Sequence, residues 1–139
     1  MTVAQIFLIT GVSLMGILGS LHLVYTFFSN KFDPYDPAIK KELKKTSLVI
    51  NKNTQFWKAW VGFNASHSMG PILMAVFYLP LATQYNHILL DSIWLSTLPL
   101  IIGVIYLYLA KKYWFIVPTI GMSLATLCFS IACYLYNYL

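Results

Sequence analysis

The chain reads as an all-α polytopic membrane protein, a four-transmembrane-helix bundle with a short amphipathic helix in its first connection. Three observations predict this. Of 139 residues, 59% are apolar and 9% charged, and the mean hydropathy is +0.71. Thirteen formally charged side chains are too few to cover a water-soluble domain of this length. The polar residues are also gathered between four long apolar runs rather than spread over the chain.

The runs predict helices over about 4–29, 57–80, 92–110 and 113–136, forming a single membrane domain over 1–139. At 1.5 Å per residue, the first run's ~25 residues would extend about 37 Å against a hydrocarbon core of about 30 Å, enough to cross with tilt. No Lys or Arg precedes it and no small-x-small site follows, so it reads as a span rather than a cleavable signal peptide. The breaks are lysine-bearing or turn-forming: 31–56, then 84–91 with Asn86 and His87, then Lys111 and Lys112 as a tight hairpin. His87 is expected to be simply solvated.

All nine basic residues are lysines, and seven lie between Lys31 and Lys58. The absence of arginine argues against nucleic acid as a partner. The second connection has no lysine and carries Asp91, so the positive-inside rule puts loops 30–57 and 111–112 in the cytoplasm and both termini outside. Within the first connection Asp36 can cap a helix opening at Pro37. Ile39, Leu43, Thr46 and Ile50 would share one face, with Lys40, Lys41, Lys44 and Lys45 largely opposite. Such a helix either lies on the inner leaflet or is a solvated linker. Trp57, Trp60, Trp94, Trp114 and most tyrosines lie near helix ends, as an aromatic belt does.

Apart from Lys58 at the boundary of the second helix, no Asp, Glu, Lys or Arg falls inside a predicted span, which argues against ion coupling and removes catalysis through a buried carboxylate. No phosphate-cradling glycine loop or nucleophile elbow is present. Cys128 and Cys133 point about 140° apart on a helix and cannot bridge each other.

What remains is histidine, amide and hydroxyl. On the second helix Trp57, Trp60, Asn64, His67, Ser68 and Pro71 form one stripe. Pro71 cannot donate to the carbonyl of His67 four residues back, which predicts a kink. On the first helix Gly19, His22, Thr26 and Ser29 align, and Gly16 with Ser20 offers a small-xxx-small contact. His22 lies nine residues before Lys31 and His67 nine after Lys58, so both sit about 13 Å along their helices from the inner boundary. Antiparallel neighbours would bring them face to face. The same depth count adds Tyr106 of the third helix, while both cysteines fall too deep. Two histidines without a third strong ligand do not make a zinc site, and no metal is expected. A haem held by two histidines, or a quinone- or sterol-like ligand hydrogen-bonded to His67 or Asn64, is chemically compatible, and the cofactor stays unknown. Thr119, Ser123, Thr126, Ser130 and Cys133 predict a small-residue packing seam on the fourth helix.

The segments G-S-L-H-L-V-Y-T-F (19–27), W-K-A-W-V-G-F-N-A-S-H-S-M-G (57–70) and K-K-Y-W-F-I-V-P (111–118) resemble a group of small bacterial four-helix membrane proteins. The resemblance transfers no activity. It implies a bacterial inner-membrane setting and places His22, Asn64 and His67 inside the recurring segments.

The candidate ligand-binding residues are therefore His22, Thr26, Asn64, His67, Ser68 and Tyr106. The leading expectation is a protein that binds a small apolar ligand or a partner helix there. One rival is a membrane enzyme on a lipid-soluble substrate, with His67 as general base oriented by Asn64 or Tyr106. Another is a purely structural subunit, in a homo-oligomer or with a membrane partner, whose polar groups only hydrogen-bond between helices at roughly 0.6 to 2 kcal/mol each.

Overall fold

The computed structural model describes all 139 residues and is all-α. Its helices are α1 (Val3–Phe28), α2 (Pro37–Lys45), α3 (Phe56–Thr83), α4 (Asn86–Asp91), α5 (Ile93–Tyr113) and α6 (Ile116–Tyr138). Four of them, α1, α3, α5 and α6, are long and apolar enough to cross a membrane, as expected of a four-helix membrane bundle.

Local chemistry accounts for most boundaries. The Asp36 carboxylate accepts from Ala38 N at 2.8 Å and Pro37 opens α2, while Lys44 and Lys45 occupy its last turn, where cations complement the dipole. The Ser92 hydroxyl accepts from Leu95 N at the start of α5. Three expectations need correction. Helix α2 stops at Lys45 with Thr46 as its C-cap, so Ile50 lies outside it and the apolar face is shorter than the spacing suggested. Lys111 and Lys112 sit inside the last turn of α5, and the hairpin turns instead at Trp114 and Phe115. Residues 86–91, expected as a loop, form α4. Helix α3 runs continuously through Pro71 and Pro80 to Thr83.

The chain forms two compact units, Gly19–Gly70 and the remainder, Met1–Leu18 with Pro71–Leu139. In the larger unit, the first part of α1, the last part of α3, α5 and α6 pack around Leu8, Val12, Met15, Tyr78, Leu89 and Phe129. Phe129 holds this core together. A Cβ on Gly11 would stand 2.5 Å from its ring and one on Gly103 2.8 Å away, so the ring fits only because α1 and α5 both present glycine. Gly16 likewise admits Ala75, and Gly121 admits Leu18. Ser20 is exposed and takes no part in the small-residue contact expected of it.

The seam expected on α6 is also corrected. Its buried face is Met122, Ala125, Thr126, Phe129, Ala132 and Tyr136, whereas Ser123 and Ser130 are exposed. The hydroxyls of Thr119, Ser123, Thr126 and Ser130 each donate to the carbonyl four residues back. Satisfied on their own helix, Ser123 and Ser130 can face lipid and need no neighbour.

The same unit carries a set of polar contacts that spacing did not reveal. Gln5 Nε2 donates to the Ala82 carbonyl at 2.7 Å, Tyr78 OH to Leu95 O at 3.0 Å, and Ser96 Oγ to Asn137 Oδ1 at 3.1 Å. Tyr136 OH donates to Asn86 Oδ1 at 2.7 Å, which with the buried Leu89 fastens α4.

The smaller unit consists of the end of α1, α2, the beginning of α3 and the connections between them. Lys40 Nζ lies 2.6 Å from Asp33 and 4.7 Å from the centre of the Trp57 ring, tying α2 to the start of α3. A single antiparallel bridge, Ser47 to Gln55, closes the loop before α3.

Candidate functional site

Within the smaller unit, α1 brings His22 and α3 brings Asn64 and His67 to one place. The four-residue and three-residue spacings behind that meeting are those of a helix face. His22 Nε2 lies 3.1 Å from Asn64 Oδ1, and the two imidazole centres are 5.5 Å apart in an edge-to-face arrangement. The expected encounter of the two histidines is present in the structure.

Asn64 is 1% exposed and both ends of its amide are engaged. Its Nδ2 donates to the Trp60 carbonyl at 2.9 Å, so Oδ1 is the end turned to His22. An amide oxygen only accepts, so His22 Nε2 must carry the hydrogen and Nδ1 is the acceptor of the neutral ring. Asn64 thereby selects a tautomer of His22. His67 stacks on Phe63 one turn earlier, at 6.2 Å and 10°.

The other candidates take different positions. Thr26 Oγ1 donates to the His22 carbonyl at 2.8 Å and Ser68 Oγ to the Asn64 carbonyl at 2.9 Å, so both tie back to their own helices. Ser66 does the same with Phe63 O and is exposed. Tyr106 belongs to the larger unit, on α5, where it packs against the apolar core.

Phe32 was not anticipated. Its ring lies 4.3 Å from that of His22, centre to centre, and its carbonyl accepts from Trp60 Nε1 at 3.1 Å. The segment after α1 thus folds over the imidazole and is pinned to α3. A lone phenylalanine among lysine, serine and proline has no periodicity to betray such a role.

His22 and His67 are both half-buried. The pair can donate to or accept from a polar group presented beside it. It does not fit a haem between the rings: axial imidazoles stand on opposite faces of the macrocycle, whereas these touch edge to face and Asn64 holds Nε2 of one. No three side chains among His, Cys, Asp and Glu gather anywhere to hold a metal ion. No family model, curated protein or solved structure matches the chain. The reading of this multi-pass membrane protein rests on its own geometry.

Proposed function

We propose that the His22, Asn64 and His67 cluster binds a small apolar molecule bearing a hydrogen-bonding group, of quinone or sterol-like character. The observation that carries this is the meeting of two half-buried imidazoles, 5.5 Å apart, on two helices long and apolar enough to span a membrane. Ionisable side chains within a membrane span are retained at a cost and mark functional sites more often than they mark packing, and a lipid-soluble occupant with a polar group is the kind of molecule such a cluster suits. Thr26 and Ser68 support the cluster by keeping their hydroxyls on their own helices. The alternative occupant of the same cluster is a polar residue of a partner helix or of a second copy.

The lysine distribution supports an inner-membrane orientation with residues 30–57 and 111–112 cytoplasmic and both termini outside. Cysteines placed at Lys45 and Asn86 test it in intact cells: an impermeant thiol reagent should reach position 86 and not 45, and the reverse would invert the topology.

The ligand reading is tested by gentle purification, with small molecules extracted and identified from the intact chain and from His67→Ala. The wild type should carry a stoichiometric lipid-soluble compound that His67→Ala loses while still inserting and folding. If the variant keeps both the compound and full cellular function, the cluster is packing only. A crosslinked second helix at Phe63 or His67 in place of a small molecule would favour the partner reading.

A further inference from the structure

Between α2 and α3 the chain makes a structured turn whose tip is apolar. The Ser47–Gln55 bridge, the Phe56 N to Thr46 O bond and the Leu48 N to Thr54 O bond close its base. Asn51 N donates to Leu48 O and Thr54 N to Asn51 O, which bends the tip. Val49 and Ile50 stand at this tip 103% and 91% exposed, and Tyr35 is exposed fully as well. These are not membrane-spanning residues, so lipid around the spans does not explain their exposure.

Charge surrounds them. Residues 31–58 hold seven lysines against Asp33, Asp36 and Glu42. Only Lys40 and Lys45 are in ion pairs, with Asp33 and Glu42. Lys31, Lys41, Lys44, Lys52 and Lys58 have no acidic partner, and Asp36 is occupied as the α2 N-cap. The connection also emerges from two spanning helices, α1 and α3, whose adjoining ends carry Tyr25, Trp57 and Trp60, residues suited to the headgroup level.

We propose that α2 and the Thr46–Gln55 turn dock on the anionic leaflet of the bilayer that the chain itself spans, with Val49 and Ile50 inserted among the headgroups. The unpaired lysines would lie on lipid phosphates and carboxylates, and Tyr35 at the same level. An apolar tip flanked by cations matches such a surface in both respects: headgroups supply the negative charge and the acyl boundary receives the side chains. The shortened α2 strengthens the case, since Ile50 belongs to a fixed turn rather than to the helix face.

The test uses the full chain in nanodiscs, either wholly zwitterionic or of equal parts zwitterionic and anionic phospholipid. A polarity-sensitive dye is attached at Val49→Cys, with Cys128 and Cys133 replaced by Ser, and a second sample carries it at Asn53→Cys. In the anionic discs, emission at position 49 should shift to the blue and be quenched by lipids brominated near the headgroup, while position 53 stays water-like. Replacing Lys41, Lys44 and Lys52 by Gln should lower the excess of anionic lipid retained per chain, by about fivefold for each lysine that contacts the surface. Water-like emission at 49 in both compositions would overturn the proposal and leave the tip to a protein partner. Insertion that is equal in both, and unchanged in the lysine variant, would overturn its electrostatic part.

Discussion

The two units solve different problems with the same helices. The larger one is closed by volume: glycines at 11, 16, 103 and 121 let neighbouring side chains approach closely, with Phe129 in the space left by Gly11 and Gly103, Ala75 beside Gly16 and Leu18 beside Gly121. The smaller one is closed by hydrogen bonds and charge. A buried asparagine bridges two helices, imidazoles stand half-covered, and lysines gather on the connection. In the absence of a hydrophobic drive between helices in lipid, close packing sets the stability of the first, while in the second polar groups are retained at a cost. Stability should therefore reside in the larger unit and chemistry in the smaller.

The sharpest way to break that division is at Phe129. Phe129→Ala removes the ring that α1 and α5 are shaped around, and should cost about 3–5 kcal/mol. Reversible unfolding in mixed micelles would measure it, and a loss under about 1 kcal/mol would mean that the core does not depend on this ring. Gly103→Leu forces a side chain against the Phe129 ring and Thr126 Oγ1 and should cost about 1–3 kcal/mol in the same assay.

In the smaller unit the expected costs fall. Asn64→Ala removes both the His22 contact and the donor to Trp60 O, at about 1–2 kcal/mol. Its distinguishing mark is spectroscopic: nitrogen-15 shifts of His22 should lose their bias toward the form protonated at Nε2. Unchanged shifts would show that another contact selects the tautomer. His67→Ala should cost under about 1 kcal/mol of stability yet abolish retention of the lipid-soluble ligand proposed above, and a large loss of stability would move His67 to the packing side of the comparison. Smallest of all is Ser123→Ala, expected within about 0.5 kcal/mol of wild type because the side chain is exposed and bonded to its own helix.

That last residue also shows where sequence reading fails. The four spans were legible because lipid demands about twenty apolar residues in a row, and few soluble elements imitate that. His22, Asn64 and His67 were legible because polar groups are so costly within a span that their helical spacing alone carries information. The hydroxyls of α6 obey a similar spacing and mislead, since Ser and Thr can satisfy themselves on the preceding turn and then face any direction. Thr26 and Ser68 likewise donate to carbonyls of their own helices, which leaves their hydroxyl oxygens as acceptors beside the cluster. Phe32 and α4 left no trace for another reason. One is a single aromatic in an irregular segment, and the other is a six-residue helix whose N-cap, Tyr85, makes no side-chain capping bond.

Helix α4 has a practical bearing on mapping the faces of this protein. Proteases cleave chain that can be drawn out into an extended strand, and such sites concentrate at loose loop tips. Between Thr83 and Ile93 little backbone is of that kind: Leu89 is sunk into the core, Asn86 is held by the Tyr136 hydroxyl, and Ser92 caps the next helix. Digestion of intact cells should spare this connection even on the side where the enzyme is added. Survival there would report mechanical anchoring rather than sidedness, which small thiol reagents at Asn86 or the exposed His87 can read directly.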